Sequence, residues 1–326
     1  MQTTRNYGWI KSEPDASNQL IRFSPKHVQA FAARKKLVQN DPVFDLRTIV
    51  SLPECLSDID QGKLGSCTAN AIAFAYAFDE IKQTNKEVFL PSRLFIYYNE
   101  RAMEGTVDTD SGAQICDGIK SINQYGVCDE HHWIYDPAQF TVKPPESVYT
   151  EAKLAKTVNY ANIDFSEDKT TSDRVDHLKQ AIRSGFPFVF GFSVYQSFES
   201  DEVAKTGMVP MPEPNEKKLG GHAVCALGFD DDKQCFIVKN SWGKSWGLDG
   251  YFYMPYDYIG DSELAEDFWV IQQVTDPNNI PGFTPGDINP DAKNLAVNID
   301  NSEVINQINQ INQNKRIDQI GNCIVS

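Results

Sequence analysis

Between residues 66 and 83 the apolar positions Ala69, Ile72, Ala73, Tyr76, Ala77 and Ile81 recur every three to four residues and leave little polar face. That pattern predicts a helix buried on nearly all sides. A weaker amphipathic pattern, with Val28, Phe31 and Ala32 on one face, predicts a helix over residues 25–39 capped by Ser24. Helical periods dominate from about residue 42 to 182. Beyond Gly185 the period shortens: 186–195, 223–229, 235–239, 250–254 and 268–274 are short, aromatic and β-branched. Turn-formers such as Asp230-Asp231-Asp232 and Gly247-Leu248-Asp249-Gly250 separate them, which predicts antiparallel strands. A helical half followed by an antiparallel half predicts an α+β fold with two lobes.

The pattern gives out after residue 275. A Pro/Gly/Asp-rich stretch leads into Ile305-Asn306-Gln307-Ile308-Asn309-Gln310-Ile311-Asn312-Gln313, a low-complexity repeat with little apolar surface to bury. Residues 276–326 are therefore expected to form a disordered tail, the alternative being a short self-associating helix through Val304, Ile308 and Ile311. Residues 1–41 are polar and form an N-terminal extension, leaving 42–275 as the folded domain.

Charge narrows the partners. With 45 acidic against 30 basic residues the net charge is −15, so there is no cationic surplus to displace phosphate counterions, and nucleic acid is excluded as a partner. Anionic membranes are not favoured either. The longest apolar runs, such as 186–192, are far too short for a transmembrane span, and the N-terminus lacks an apolar signal core. Seven cysteines, an odd number, then point to thiols in a reducing, intracellular setting, expected to be the cytoplasm, rather than to a disulfide framework.

One cysteine stands apart. In Gln61-Gly62-Lys63-Leu64-Gly65-Ser66-Cys67-Thr68-Ala69, Cys67 follows a Gly-Ser turn and opens the buried helix. A thiol there faces unpaired backbone N–H groups and the positive end of the helix dipole, both of which favour the nucleophilic thiolate. Gly65 lets a substrate backbone come close, and Gln61 carries an amide donor. Such a thiol needs a base, and the base needs a partner that fixes its ring. Far downstream, Gly220-Gly221-His222-Ala223 opens one strand and Asn240-Ser241-Trp242-Gly243 ends another. His222 supplies the imidazole, Asn240 an oxygen to orient it, and Trp242 a shield for that hydrogen bond.

These three motifs, in this order, resemble the papain (C1) family of cysteine peptidases over roughly residues 42–274, nearest in look to its xylellain-like branch with a short propeptide. The resemblance implies a two-lobed papain-like fold, a helical lobe carrying Cys67 and a β-barrel-like lobe carrying His222 and Asn240, with a peptide or protein substrate in the cleft between. It implies Cys67 as nucleophile, His222 as base and then acid, Asn240 as orienter, and Gln61 with the Cys67 N–H as oxyanion hole. It implies no cofactor and no metal. Gly112, in Asp110-Ser111-Gly112-Ala113, lies where the family binds substrate main chain. An acyl transferase or deamidase of the same fold, or a catalytically silent peptide binder, are the alternatives. Leu64 stands where most relatives carry a disulfide cysteine, and Thr68 where they carry Trp. A longer loop around 199–218 accommodates the wider spacing between Cys67 and His222.

Three further signals remain. Cys116, Cys128, His131 and His132 match no common zinc spacing, which favours structural cysteines. Residues 1–41 are expected either to lie over the cleft as a short inhibitory segment or to pack on the surface. The terminus Cys323-Ile324-Val325-Ser326 has the form of a prenylation signal, and with only Lys315 and Arg316 nearby a lipid on Cys323 would attach the chain weakly to a membrane.

Overall fold

The computed structural model describes residues 6–35, 41–84 and 89–274. The expected tail, with Cys323, and the end of the first predicted helix lie outside the described residues. In chain order the N-terminal part gives β1 (Trp9–Ile10), β2 (Leu20–Ile21), α1 (Pro25–Lys35), β3 (Val43–Asp45) and α2 (Glu54–Ser57). Next come α3 (Cys67–Thr84), α4 (Arg93–Glu104), β4 (Ala113–Gln114), α5 (Ile115–Gln124) and α6 (Glu146–Ala152). The remainder comprises β5 (Thr157–Ile163), α7 (Thr171–Arg183), β6 (Phe188–Tyr195), α8 (Asp201–Thr206), β7 (Lys218–Asp230), β8 (Cys235–Lys239), β9 (Tyr251–Pro255), α9 (Tyr256–Gly260) and β10 (Ala265–Val274).

One sheet runs β2-β5-β10-β6-β7-β8-β9, with β3 added against β7. Its pairs are antiparallel except β2 with β5. The helices α3, α4 and α5 pack on one another, and α3 lies against β7, β6 and β10. The fold is the α+β arrangement expected, a group of helices packed on a mostly antiparallel sheet. The apolar surround of α3 follows from its place: every residue from Cys67 to Asp79 is buried. Between the strands, Phe188, Phe190, Phe192, Phe198, Phe252 and Phe268 interlock edge-to-face or tilted, filling the β-rich core with rigid rings.

Two expectations need correction. Residues 42–182 are not uniformly helical: β5 lies among them, made a strand by pairing with β10 and β2 rather than by a strong alternating pattern. Ser24 does precede α1, but its hydroxyl bonds the His27 ring at 2.9 Å rather than a helix N–H. Among the described residues no helix is long and apolar enough to cross a membrane.

Buried charges hold the loops that approach the helix start. Arg101, fully buried on α4, donates to the carbonyls of Tyr97, Val107, Thr109 and Phe140 and lies over the Tyr97 ring, fixing the 105–112 loop. Arg93 forks onto Glu130 and reaches the Asp60 carbonyl and Asn70 Oδ1, tying α4 to α3. Thr68 donates to Glu100 at 2.6 Å, and burial raises that carboxyl well above its ordinary range.

Candidate active site

Cys67 is the first residue of α3, where helix N–H groups have no intrahelical acceptor. The turn before it is cross-braced. Gln61 N–H donates to the Ser241 carbonyl at 2.9 Å, and the Ser241 hydroxyl donates to Gln61 Oε1 at 2.6 Å. That second bond fixes which end of the Gln61 amide is oxygen, and Nε2 donates to the Leu64 carbonyl at 2.9 Å. Tyr135 donates to the Gln61 carbonyl and shares a 2.5 Å bond with the Ser66 hydroxyl.

His222 and Asn240 come from neighbouring strands. β7 and β8 pair with Cys225 opposite Lys239, so the residue after β8 returns beside β7. His222 Nε2 lies 2.9 Å from Asn240 Oδ1, which also accepts the Ser241 N–H at 2.9 Å. An oxygen accepts, so Nε2 carries the proton and Nδ1 is the basic atom of the neutral ring. Trp242 stacks on the imidazole at 5.1 Å between centroids, and Phe192 meets it edge-on at 5.7 Å. His222, Asn240 and Trp242 are all buried, so the hydrogen bond between His222 and Asn240 is shielded from water. The neighbouring Ala223 N–H lies near enough to the Cys67 sulfur to favour its charged form.

The N-terminal segment runs across this junction. The Gly8 N–H likewise lies near enough to the Cys67 sulfur to favour its charged form. The Gly8 carbonyl accepts the Ala113 N–H at 2.7 Å, and β1 pairs with β4 in parallel. The approach is close enough to require glycine on both sides. A Cβ on Gly8 would stand 1.7 Å from the Gly65 carbonyl oxygen, and one on Gly112, at φ +75°, would stand 2.1 Å from the Gly8 oxygen. Asp110 receives the Gly65 N–H, the Tyr97 hydroxyl and the Asn6 amide. Tyr7 places its ring edge-on to His222 at 6.1 Å and bonds Glu199 through its hydroxyl.

Cys67 is fully buried. Burial pushes its thiol up to about 11, against the N–H bonds from Ala223, Gly8 and Thr68 that pull the other way. The helix start does supply donors, but desolvation by burial outweighs them.

A papain family cysteine protease profile matches residues 43–270. The chain belongs to the papain family of cysteine proteases. It is 60% identical over 304 residues to the uncharacterized peptidase C1-like protein L477 of Acanthamoeba polyphaga mimivirus, spanning 93% of this chain and 97% of that one. Among solved structures, xylellain, a cysteine protease from Xylella fastidiosa, superposes with a TM-score of 0.70 at 38% identity, covering 83% of this chain and 97% of its own. Procathepsin B S9 of Trypanosoma congolense shares the fold at 17% identity, with a TM-score of 0.58 and coverage of 76% and 80%.

Family membership makes the chain a cysteine peptidase. Of the residues expected at its site, Gln61, Gly65, Cys67, Gly112, His222, Asn240 and Trp242 all border one junction between the helices and the sheet. All six described cysteines are free, consistent with Leu64 in place of a bridging cysteine. Cys116, Cys128, His131 and His132 do not converge. Cys116 faces Asn18, Cys128 sits among Phe95, Val148, Tyr149 and Ala152, and the two histidines pair with Asp129 and Glu151 at the surface. Sequence reasoning missed Tyr7, Gly8, Trp9 and Asp110. The run Tyr7-Gly8-Trp9, aromatic residues around a glycine in an otherwise polar stretch, was the one available signal.

Proposed function

We propose that this chain is an endopeptidase in which Cys67 attacks the peptide carbonyl, with the first 41 residues holding the cleft shut until they are displaced. The observation that carries the reading is the 2.9 Å bond from His222 Nε2 to Asn240 Oδ1, on a strand whose next N–H reaches the Cys67 sulfur. It leaves Nδ1 of His222 to take the thiol proton and then return it to the leaving amine. The amide of Gln61, oriented by Ser241, carries a second N–H beyond the one given to Leu64. That N–H and the backbone N–H of Cys67 serve the oxyanion, each worth about 3 kcal/mol when removed. Gly65 and Gly112 bind the substrate main chain in the space that Gly8 fills here.

The closed state is supported by what the segment presents to the sulfur. The Gly8 N–H lies beside the sulfur, and the Gly8 carbonyl accepts the Ala113 N–H. Cys67→Ala should abolish hydrolysis of casein and of fluorogenic peptides. A chain beginning at Asn40 should turn over faster than the full chain; equal rates would reject inhibition, and turnover by Cys67→Ala would reject the nucleophile.

A further inference from the structure

Lys239 ends β8 one residue before Asn240 and is the one charged residue of that strand. It is also buried, at 3% exposure. A buried cation ordinarily has a carboxylate against it. Here the ammonium donates instead to two backbone carbonyls, that of Asn240 at 2.8 Å and that of Gly250 at 3.4 Å. Asp58 and Asp60 attract it only from a distance. Its cross-strand neighbours are Cys225 on β7, which feels Asp79 of α3, and Tyr251 on β9. The Tyr251 ring lies 5.2 Å from Nζ and carries Arg47 as well.

The two carbonyls are the two ends of one loop. The chain leaves β8 at Asn240 and enters β9 after Gly250, and the Asn240 N–H donates to the same Gly250 carbonyl at 2.9 Å. Gly250 sits at φ +81°, and a Cβ there would stand 2.9 Å from Nζ, so only glycine lets the backbone reach the ammonium. The loop so closed carries three residues of the site: Asn240, which orients His222; Ser241, which orients Gln61; and Trp242, which stacks on the imidazole. Farther out, the Gly243 N–H donates to the Ile59 carbonyl and the Lys244 N–H to Asp58, and neither bond touches Asn240.

We infer that Lys239 is a positioning residue for the peptidase reaction: its ammonium clamps the base of the 240–250 loop and thereby holds Asn240 Oδ1 on His222. The inference rests on the peptidase reading. A hydrocarbon side chain of the same length would fill the place but leave the Asn240 carbonyl without its charged donor. A tilt of that peptide moves Oδ1 off Nε2 and costs the imidazole its orientation, which the reaction needs and substrate binding does not. Burial lowers the ammonium to about 8 from its ordinary 10.5, so the clamp is kept at a cost to folding. The unfolded chain binds that proton more tightly, so the cost is complete below about 8 and gone above 10.5.

The test compares the full chain with its Lys239→Met variant on one fluorogenic peptide. Covering by the N-terminal segment competes with substrate, so it raises KM and leaves kcat alone. Lys239→Met should lower kcat roughly tenfold with KM within about twofold of wild type. Its Tm should stay or rise, because a buried charge without a carboxylate has gone. The wild-type-to-Met ratio of kcat should shrink toward one as pH passes about 8, where the wild type loses the same charge. Lys239→Arg, which stays charged throughout, should keep more of kcat than Lys239→Met and hold it above that pH. An unchanged kcat in Lys239→Met, or a ratio independent of pH, overturns the assignment while Cys67-dependent hydrolysis still stands. A fall in kcat accompanied by a fall in Tm makes Lys239 a structural residue only and overturns it too. If Lys239→Met does not fold, Lys239→Arg decides: a kcat that drops through that pH as steeply as the wild type's overturns the clamp. No hydrolysis of any peptide by the wild type, with no labelling of Cys67 by a peptidyl epoxide, overturns the peptidase reading and the clamp with it.

Discussion

The N-terminal segment meets the rest of the chain in two regions of opposite character. In the cleft, residues 7–9 touch backbone: Gly8 lies against Gly65 and Gly112, Tyr7 against Gly220, Trp9 against Gly191 and Gly221. Further along, residues 20–23 are held by side chains that titrate. β2 adds to β5, Arg22 pairs with Asp168 at 2.6 Å, and the Phe23 N–H donates at 2.9 Å to Nε2 of buried His177, whose Nδ1 faces Asp168 at 2.9 Å. The cleft contact thus depends on shape and the outer contact on protonation. Some fifteen residues of chain separate the two contacts.

Changing the shape should have the largest effect. Gly8→Val puts a side chain where even a Cβ would overlap the Gly65 carbonyl, a misfit of about 1–3 kcal/mol. The full chain should then gain tenfold or more in kcat/KM while the chain beginning at Asn40 is the reference ceiling. If Gly8→Val leaves peptide hydrolysis unchanged, the cleft contact does not inhibit.

Acidification should have a smaller effect, through the outer contact alone. Burial lowers His177 below its ordinary value of 6.5, against the pull of Asp168. A neutral ring accepts the Phe23 N–H; a protonated one turns a second donor toward it. Because the docked ring binds a proton less readily than the free one, docking is fully favoured above 6.5 and weakens as pH falls through the docked value. Asp168, raised by burial but drawn further down by Arg22 and His177, stays ionised over that range. The activity of the full chain relative to the shortened one should therefore rise below about pH 6, and His177→Phe should flatten the rise. A ratio independent of pH in the wild type would remove His177 from the latch.

Arg22→Ala should do least. The guanidinium is about a third exposed, so solvent screens its pair with Asp168 and the loss is about 0.5–1 kcal/mol. A two- to fivefold rise in full-chain activity at neutral pH is expected; a larger rise than that of Gly8→Val would reverse the ranking of the two regions.

The same contrast explains what the sequence revealed. α3 was legible because its apolar residues repeat locally, and β8 was predicted at its observed bounds because five apolar-rich residues sit between turns. Cys67, His222 and Asn240 were legible because each sits in a short motif. β5 was missed because Thr157–Ile163 carries two asparagines and becomes a strand only through its partners. The cleft contact was hidden for a different reason: Gly8 and Trp9 are read only against glycines at 65, 112, 191 and 221, and no local period links them.

The central claim is that this sulfur is kept as a thiol by the segment lying on it. The rate of Cys67 alkylation by iodoacetamide, followed by peptide mass spectrometry across pH, measures that directly. In the full chain reactivity should rise only toward a midpoint near 11, and in the chain beginning at Asn40 it should appear at much lower pH. Superimposable pH profiles for the two chains would contradict it.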